Sequence, residues 1–241
     1  MKKQILGLIA LCSTFIISAQ DFKTEFNTYL AAKKVEKNHQ VNINYNLYKG
    51  IKGTKSYESY SGVQAKLGSV IYQKVATTEY ILGKDFVVKL NHDEKAMMVG
   101  YSSKSLQTDI TQLDVESLRP YFKETLVVDH GNYLSFDLSF GNVQNIPVSK
   151  VILEVSKKDY SLKKQIVYYN MLSDFSVYDT EKKDKRKAEL NMARLEISYT
   201  GYKNKIDLDK SVFVKETYFI YQNNTIETAK QFKDFELFFA K

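Results

Sequence analysis

The chain has 241 residues, of which 44% are hydrophobic and 26% charged, and its formal net charge is +7. That length and composition predict one domain with a substantial core and exclude a disordered or fibrous chain. The basic residues are mostly lysines scattered singly among acids, so the sequence lacks the concentrated basic patch of a nucleic-acid-binding protein.

Residues 1–19 are predicted to form a signal peptide, and residues 20–241 a single domain. Lys2 and Lys3 precede an apolar run at 5–17, and Ala19 supplies the small residue before the expected cleavage site. The run is shorter than the roughly 18 to 20 residues that span a bilayer, so we expect no transmembrane segment in the mature chain. Cleavage would remove the only cysteine. We therefore expect an exported protein without disulfides, located in the periplasm or secreted.

Two segments have the apolar spacing of amphipathic helices. In residues 21–37 the apolar stripe begins with Phe22 and Phe26. The second segment is 105–124, in which Pro120 requires a break or a new first turn. We expect both helices to cover the sheet formed by the remaining segments.

The other segments alternate apolar and polar residues, with the period of a strand that buries one face. The predicted strands are 41–47, 68–75, 78–82, 86–90, 96–101, 134–140, 151–155, 165–170, 195–199, 212–221 and a last strand within 232–239. Few helices separate them, so we expect antiparallel neighbours rather than a parallel α/β fold. The predicted class is mainly β (α+β): a strongly curved antiparallel sheet or open barrel of about ten to eleven strands, covered by two helices.

Two of these strands present unbroken apolar faces to the interior. An apolar pocket would hold acyl chains by removing their surface from water, at roughly 25 cal/mol per Å². The predicted ligand-binding residues are Phe86, Val88, Leu90, Leu134, Phe136, Leu138 and Phe140.

The sequence shows no catalytic or metal-binding signature. His39, His92 and His130 are isolated in sequence and have no partner at helical or strand spacing, so we expect turn or surface residues. The glycine-containing stretch 50–55 lacks the spacing of a phosphate loop and is predicted to connect two strands. The charge run at 181–187 is predicted to be a solvated loop. We accordingly predict no enzyme activity, no metal and no cofactor.

Two segments carry a resemblance to a known family. The stretch VILEVSKKDYSLKKQIVYYN reads as a long hairpin, and ARLEISYTGYKNKIDLDKSVF follows towards the end of the chain. Together with the leader, the first helix and the meander, they resemble the periplasmic outer-membrane lipoprotein carrier family. The family's pattern positions would be filled by Leu153, Asp159, Leu162, Asn204, Ile206, Asp207 and Phe213.

The resemblance implies a lipid-holding fold and includes one departure. The carriers use an arginine on an early strand to hold their helices closed, and this chain has no arginine before Arg119. Lys49, at the end of the first predicted strand, is the substitute that the sequence offers. The lysine ammonium donates hydrogen bonds from a single nitrogen, whereas the guanidinium group of arginine presents several donors in one plane.

Two function classes stay open at this point. The first is an exported, non-enzymatic protein that holds acyl chains or another apolar ligand in a concave cavity, and it includes an outer-membrane lipoprotein carrier. The second is a structural or interaction module of the bacterial cell envelope, with a core filled by its own side chains. The predicted partners are an acyl chain, lipid or lipoprotein in the first class and an envelope protein in the second. Neither class includes nucleic acid.

Overall fold

A computed structural model of the protein describes residues 21–34, 38–101, 118–141, 147–178, 187–222 and 225–239. Within these ranges the chain forms one α-helix and fourteen strands. The elements are α1 (Phe22–Lys34), β1 (His39–Lys49), β2 (Ser56–Leu67), β3 (Val70–Val75), β4 (Thr78–Leu82), β5 (Val87–Asn91), β6 (Ala96–Gly100), β7 (Phe122–Asp129), β8 (Tyr133–Phe140), β9 (Val148–Ser156), β10 (Leu162–Asp174), β11 (Leu190–Lys203), β12 (Phe219–Gln222), β13 (Thr225–Thr228) and β14 (Glu236–Phe239).

Helix α1 begins directly after an aspartate that caps it. The Asp21 carboxylate accepts hydrogen bonds from the Lys23 backbone N–H at 3.0 Å and the Thr24 hydroxyl at 2.7 Å. These bonds satisfy a backbone donor that has no partner within the helix, and the negative charge favours the N-terminal end of the helix dipole. No helix among the described residues is long and apolar enough to cross a bilayer.

Twelve of the described strands form one open sheet. Its order is β14-β6-β5-β4-β3-β2-β1-β11-β10-β9-β8-β7, so strands next to each other in the chain are mostly neighbours in the sheet. Every pair is antiparallel except β14 on β6, which is parallel. Strands β12 and β13 form a separate hairpin. The mainly β, antiparallel architecture expected from the sequence is therefore observed, with more strands and a parallel edge strand.

The buried face of the sheet changes side near its middle. Directly paired residues of antiparallel strands point to the same face. Successive direct pairs across β9, β10 and β11 place Phe136 of β8 on the same face as Tyr45 of β1. Ala65 of β2 pairs directly with Gln40 of β1, so these two residues also share a face. Tyr45 and Gln40 lie an odd number of residues apart on one strand, so their side chains point to opposite faces. Phe136 and Ala65 consequently belong to opposite faces.

Each face has its own core. The helix-side core lies under α1 and consists of Phe26, Tyr29, Val127, Leu134, Phe136, Leu138, Phe140, Val148, Val151, Leu153, Val155 and Val167. The C-terminal core lies between β2–β6 and the segment that follows β11, and it consists of Ala65, Tyr72, Ile81, Phe86, Val88, Leu90, Met97, Val99, Phe213, Tyr218 and Phe219. Among the described residues, the first predicted helix covers one face and an irregular C-terminal segment covers the other.

The predicted second helix is wrong at its C-terminal end. Its residues 105–117 lie outside the described ranges, as do the predicted signal peptide and all but the last residue of the charge run. Arg119–Tyr121 form a single 3₁₀ turn with Pro120 at its start, and β7 begins at Phe122. Most of β7 is exposed because it is an edge strand, so its sequence lacks the alternation of a half-buried strand.

The predicted strand at 212–221 is wrong over most of its length. Two 3₁₀ turns, Lys210–Phe213 and Lys215–Thr217, precede β12. The Asp209 side chain accepts a hydrogen bond from the Ser211 backbone N–H at 2.8 Å and so caps the first turn. Strands β2 and β13 are not among the predicted strands. Strand β13 is short and half-exposed.

Candidate functional site

The predicted ligand-binding residues fall into two sets that the structure does not bring together. All seven are buried, with at most 9% of each residue exposed. The four residues from β8 lie in the helix-side core, whereas the set Phe86, Val88 and Leu90 lies in the C-terminal core. These cores occupy opposite faces of the sheet, so one cavity cannot be lined by both sets.

Aromatic side chains of α1 pack over the β8 residues. The Phe26 ring meets the Phe136 ring edge to face at 5.4 Å, and the Tyr29 ring is stacked on Phe136 at 5.9 Å. Phe22 makes a third ring contact with Phe136, at 6.0 Å. The expectation that the first helix covers the sheet is confirmed. A ligand could contact the β8 face only if α1 moved away.

An arginine outside the expected position holds this helix in place. The Arg119 guanidinium donates a hydrogen bond to the Asn27 side-chain oxygen at 2.8 Å and lies 5.8 Å from the centre of the Phe26 ring. Lys49, the substitute suggested by the sequence, instead pairs with the carboxylate of Glu189, the residue directly before β11. Arg119 could not be identified from the sequence because it lies in a segment predicted to be helical and contacts α1 only in the folded chain.

A cleft opens at the other end of the sheet, beside the edge formed by β6 and β14. Its volume is about 340 Å³, which lies at the small end of the range for ligand pockets. Backbone and side chains from the β4–β5 turn, β6, β12, β13 and β14 surround it. The lining side chains are Asp85, Phe86, Val99, Tyr101, Lys215, Phe219, Tyr221, Ile226 and Phe239.

The cleft has a buried floor and an exposed aromatic rim. Phe86, Val99 and Phe219 of the floor belong to the C-terminal core and are at most 9% exposed. The rim residues Tyr101 and Tyr221 are 79% and 67% exposed. Phe239 completes the rim and is also exposed. Large aromatic side chains grouped at the surface around a concave site are typical of a binding site rather than of a fully formed core.

A glycine fixes the position of the floor residue Phe86. The Gly83 backbone N–H donates to the Phe86 carbonyl oxygen at 2.8 Å, which closes the turn between β4 and β5. The Phe86 ring then lies directly against Gly83, and a Cβ atom at that position would overlap the ring. Glycine is therefore the residue that lets this ring lie in the floor of the cleft.

Two charged side chains are part of the lining, and they stand at the mouth. The Lys215 ammonium nitrogen lies 4.0 Å from the Asp85 carboxylate. Both side chains are well exposed, so this ion pair contributes little to stability. The described lining residues thus give the cleft an apolar interior and place charge only at its opening.

Behind the floor, tyrosines surround a buried carboxylate. Glu79 is 9% exposed, and its carboxylate contacts the His92 imidazole at 3.0 Å and the Lys74 ammonium at 3.2 Å. Burial, together with the charge of Glu79, raises the pKa of the Tyr72 and Tyr218 hydroxyls well above their ordinary value. These tyrosines stay neutral at physiological pH and serve as packing and hydrogen-bonding residues.

The remaining histidines are held by ring stacking. His130 stacks on Tyr133 at 4.5 Å and is exposed next to a turn, as predicted. His39 is buried and stacks on Tyr202 at 5.0 Å, so its prediction as a surface residue is wrong. The reason is that His39 begins β1 rather than preceding it. Among the described residues, no group of three or more His, Cys, Asp or Glu is placed to hold a metal ion.

The residues that matched the carrier pattern occupy structural positions. Asp159 accepts hydrogen bonds from the Ser161 backbone and hydroxyl in the β9–β10 turn. The Asp207 backbone N–H donates to the Gln40 side-chain oxygen at 2.9 Å, which ties the C-terminal segment to β1. Phe213 is buried in the C-terminal core. Asp207 and Phe213 shape the fold on the side of the cleft, whereas Asp159 lies in the half of the sheet that α1 covers, and none of the three lines the cleft.

No protein-family model and no curated protein matches the chain. Similar solved structures include an uncharacterized conserved protein from Thermus thermophilus, at 8% identity and TM-score 0.43, covering 78% of this chain and 91% of that chain. A DUF1329 family protein from Desulfovibrio piger is similar at 11% identity and TM-score 0.39, with 80% and 96% covered. A LolA superfamily protein from Nitrosomonas europaea is similar at 14% identity and TM-score 0.37, with 79% and 97% covered.

The third of these structures is described as a member of the LolA superfamily. All three TM-scores are below 0.5, so these structures carry no inference about the ligand, partner or activity of this chain.

Proposed function

We propose that this protein is an exported, non-enzymatic binding protein that holds an acyl chain in the cleft between β6, β12 and β14. The supporting observation is the cleft itself, with its buried floor of Phe86, Val99 and Phe219 and its exposed aromatic rim. Such a site binds by removing apolar surface from water and needs no reactive group. The protein would act in the periplasm after removal of residues 1–19, as a carrier of a lipid or lipoprotein.

The apolar interior sets an expected dependence of affinity on chain length. Each buried methylene contributes roughly 0.8 kcal/mol, which corresponds to about a fourfold change in affinity. We expect affinity to rise at about that rate along a series of saturated chains and then to level off when the cleft is full. The measurement is displacement of a fluorescent fatty acid from the mature protein.

Rim substitutions test the location of the site. Tyr221→Glu and Phe239→Glu place a carboxylate beside the bound chain, and because both positions are exposed the fold should be kept. The matched control is Leu172→Glu, at a position on β10 of similar exposure and away from the cleft. Weaker binding by both rim variants and unchanged binding by the control would support the site.

Absence of saturable binding by the wild-type protein would contradict the proposal. It would leave the second function class, a structural or interaction module of the cell envelope. Packing of α1 on β8 already gives the helix-side core a buried interior, as such a module requires. Leu134, Phe136, Leu138 and Phe140 remain a prediction as ligand contacts, and one that requires α1 to move.

A further inference from the structure

Among the described residues that line the cleft, charge is confined to one place. Lys215 and Asp85 are the charged residues among those that line it, and their side chains are 43% and 72% exposed. All other lining side chains are apolar or aromatic. A bound chain would therefore have one apolar end in the floor and one end at a lysine.

The backbone of Lys215 is held firmly at this position. Lys215 begins a 3₁₀ turn, and its carbonyl oxygen accepts a hydrogen bond from the Tyr218 backbone N–H at 2.9 Å. Tyr218 itself is fully buried, and its hydroxyl donates to the Val212 carbonyl at 2.8 Å. The hydrogen-bonded turn thus fixes the backbone from which the Lys215 side chain extends along the cleft, while the ammonium group lies at the opening.

The Lys215 ammonium is available to a ligand. Its contact with Asp85 lies at 4.0 Å, the outer limit for an ion pair and too long for a direct hydrogen bond. An anionic group of a ligand can approach the same ammonium closely, since lysine has three donors that can be directed separately. Asp85 beside it would repel that group and would disfavour a head group with more than one negative charge.

We propose that the cleft takes a single acyl chain that ends in a free carboxylate, with the carboxylate paired to Lys215 and opposed by Asp85. The ligand class is then a free fatty acid rather than the esterified or amide-linked chains of a lipoprotein. This inference rests on the proposed function of the cleft and adds to it the identity of the head group.

The experiment compares a twelve-carbon fatty acid with its methyl ester, in wild type and three variants, below the concentration at which either ligand self-associates. Lys215→Gln should weaken binding of the acid by roughly two- to fivefold and leave the ester unchanged, as a partly exposed charge pair is worth about that much. Asp85→Asn should strengthen binding of the acid and leave the ester unchanged. The control Lys210→Gln, an exposed lysine in the preceding turn, should alter neither.

The two ligands separate failure of this inference from failure of the proposed function. Equal affinity of wild type for acid and ester, or equal weakening of both by Lys215→Gln, would overturn the head-group assignment while the cleft stays a binding site for apolar chains. Binding of neither ligand would overturn the proposed function itself, and the head-group assignment with it.

Discussion

The rings of Phe26 and Phe136 meet edge to face, with their centres 5.4 Å apart, and this contact fixes α1 to the sheet. Both residues are fully buried. Replacing Phe26 with alanine leaves a cavity between helix and sheet, and such a change typically costs about 3–5 kcal/mol. We expect Phe26→Ala to lower the free energy of unfolding by that amount, as measured by urea denaturation.

The control for that variant is Lys23→Ala, an exposed position on the same helix. It should change the free energy of unfolding by less than about 0.5 kcal/mol. An equally small effect of Phe26→Ala would show that α1 is dispensable for the fold, against the packing described above.

Gly83→Ala should displace the Phe86 ring from the floor of the cleft, because the added Cβ would overlap that ring. Forcing an extra carbon into such a contact costs about 1–3 kcal/mol of stability. We expect weaker binding of a fluorescent fatty acid together with a modest loss of stability. Gly141→Ala is the control, since a Cβ at Gly141 meets no atom within 4 Å. Unchanged binding by Gly83→Ala would remove Phe86 from the site.

Removing the hydroxyl group of Tyr199 and removing that of Tyr45 are expected to change the free energy of unfolding in opposite directions. The buried Tyr199 hydroxyl has no hydrogen-bond partner among the described residues, whereas the Tyr45 hydroxyl accepts a hydrogen bond from the Gln73 amide nitrogen at 3.1 Å. Tyr199→Phe should therefore stabilise the protein by about 1 kcal/mol, and Tyr45→Phe should destabilise it by about as much. Urea denaturation of the two variants measures both changes. Destabilisation by Tyr199→Phe would reveal a partner for that hydroxyl.

Stability should fall on the alkaline side as tyrosines ionise. Burial and the hydrogen bond to Glu58 raise the pKa of Tyr178 from 10.0 to about 12. Because the folded-state pKa lies above the unfolded value, the contribution of Tyr178 is fully present below pH 10 and is lost as pH rises towards 12 and beyond. We expect Tyr178→Phe to show a shallower decline of stability than wild type from pH 10 to 12. Parallel declines would assign the alkaline loss to other groups.

The sheet was predictable wherever a strand buries one face against a core. Strand β8 alternates Leu134, Phe136, Leu138 and Phe140 with polar residues, and its bounds in the structure extend the prediction by a single residue. Strand β7 gave no such signal because it is an edge strand with little burial. The 3₁₀ turns around Phe213 were not predictable by apolar spacing, since their position is set by the Asp209 cap and by contacts with distant strands.

The candidate site was predictable only in part. Phe86 was identified from its strand pattern and lies in the floor of the cleft. Phe239 was not singled out, because its proximity to Phe86 depends on the parallel pairing of β14 with β6. Tyr221 and Ile226 were not singled out either, because they pair with each other on the separate β12–β13 hairpin, which only the folded chain brings to the cleft. A parallel contact between segments so distant in the chain has no local sequence signal.

The change of buried face within one sheet divides the folding free energy between two sub-regions. We expect helix α1 and β7–β10 to open while the C-terminal core stays closed, and the reverse, because the two cores share no buried side chain. A ligand in the cleft adds RT ln(1 + [L]/Kd) to the opening free energy of the half that holds it. Amide hydrogens of β4–β6 would then exchange more slowly in the bound protein, while those of β8 and β9 keep their rates. Ligand binding would therefore be detected as a difference in exchange rate between the two halves of a single sheet.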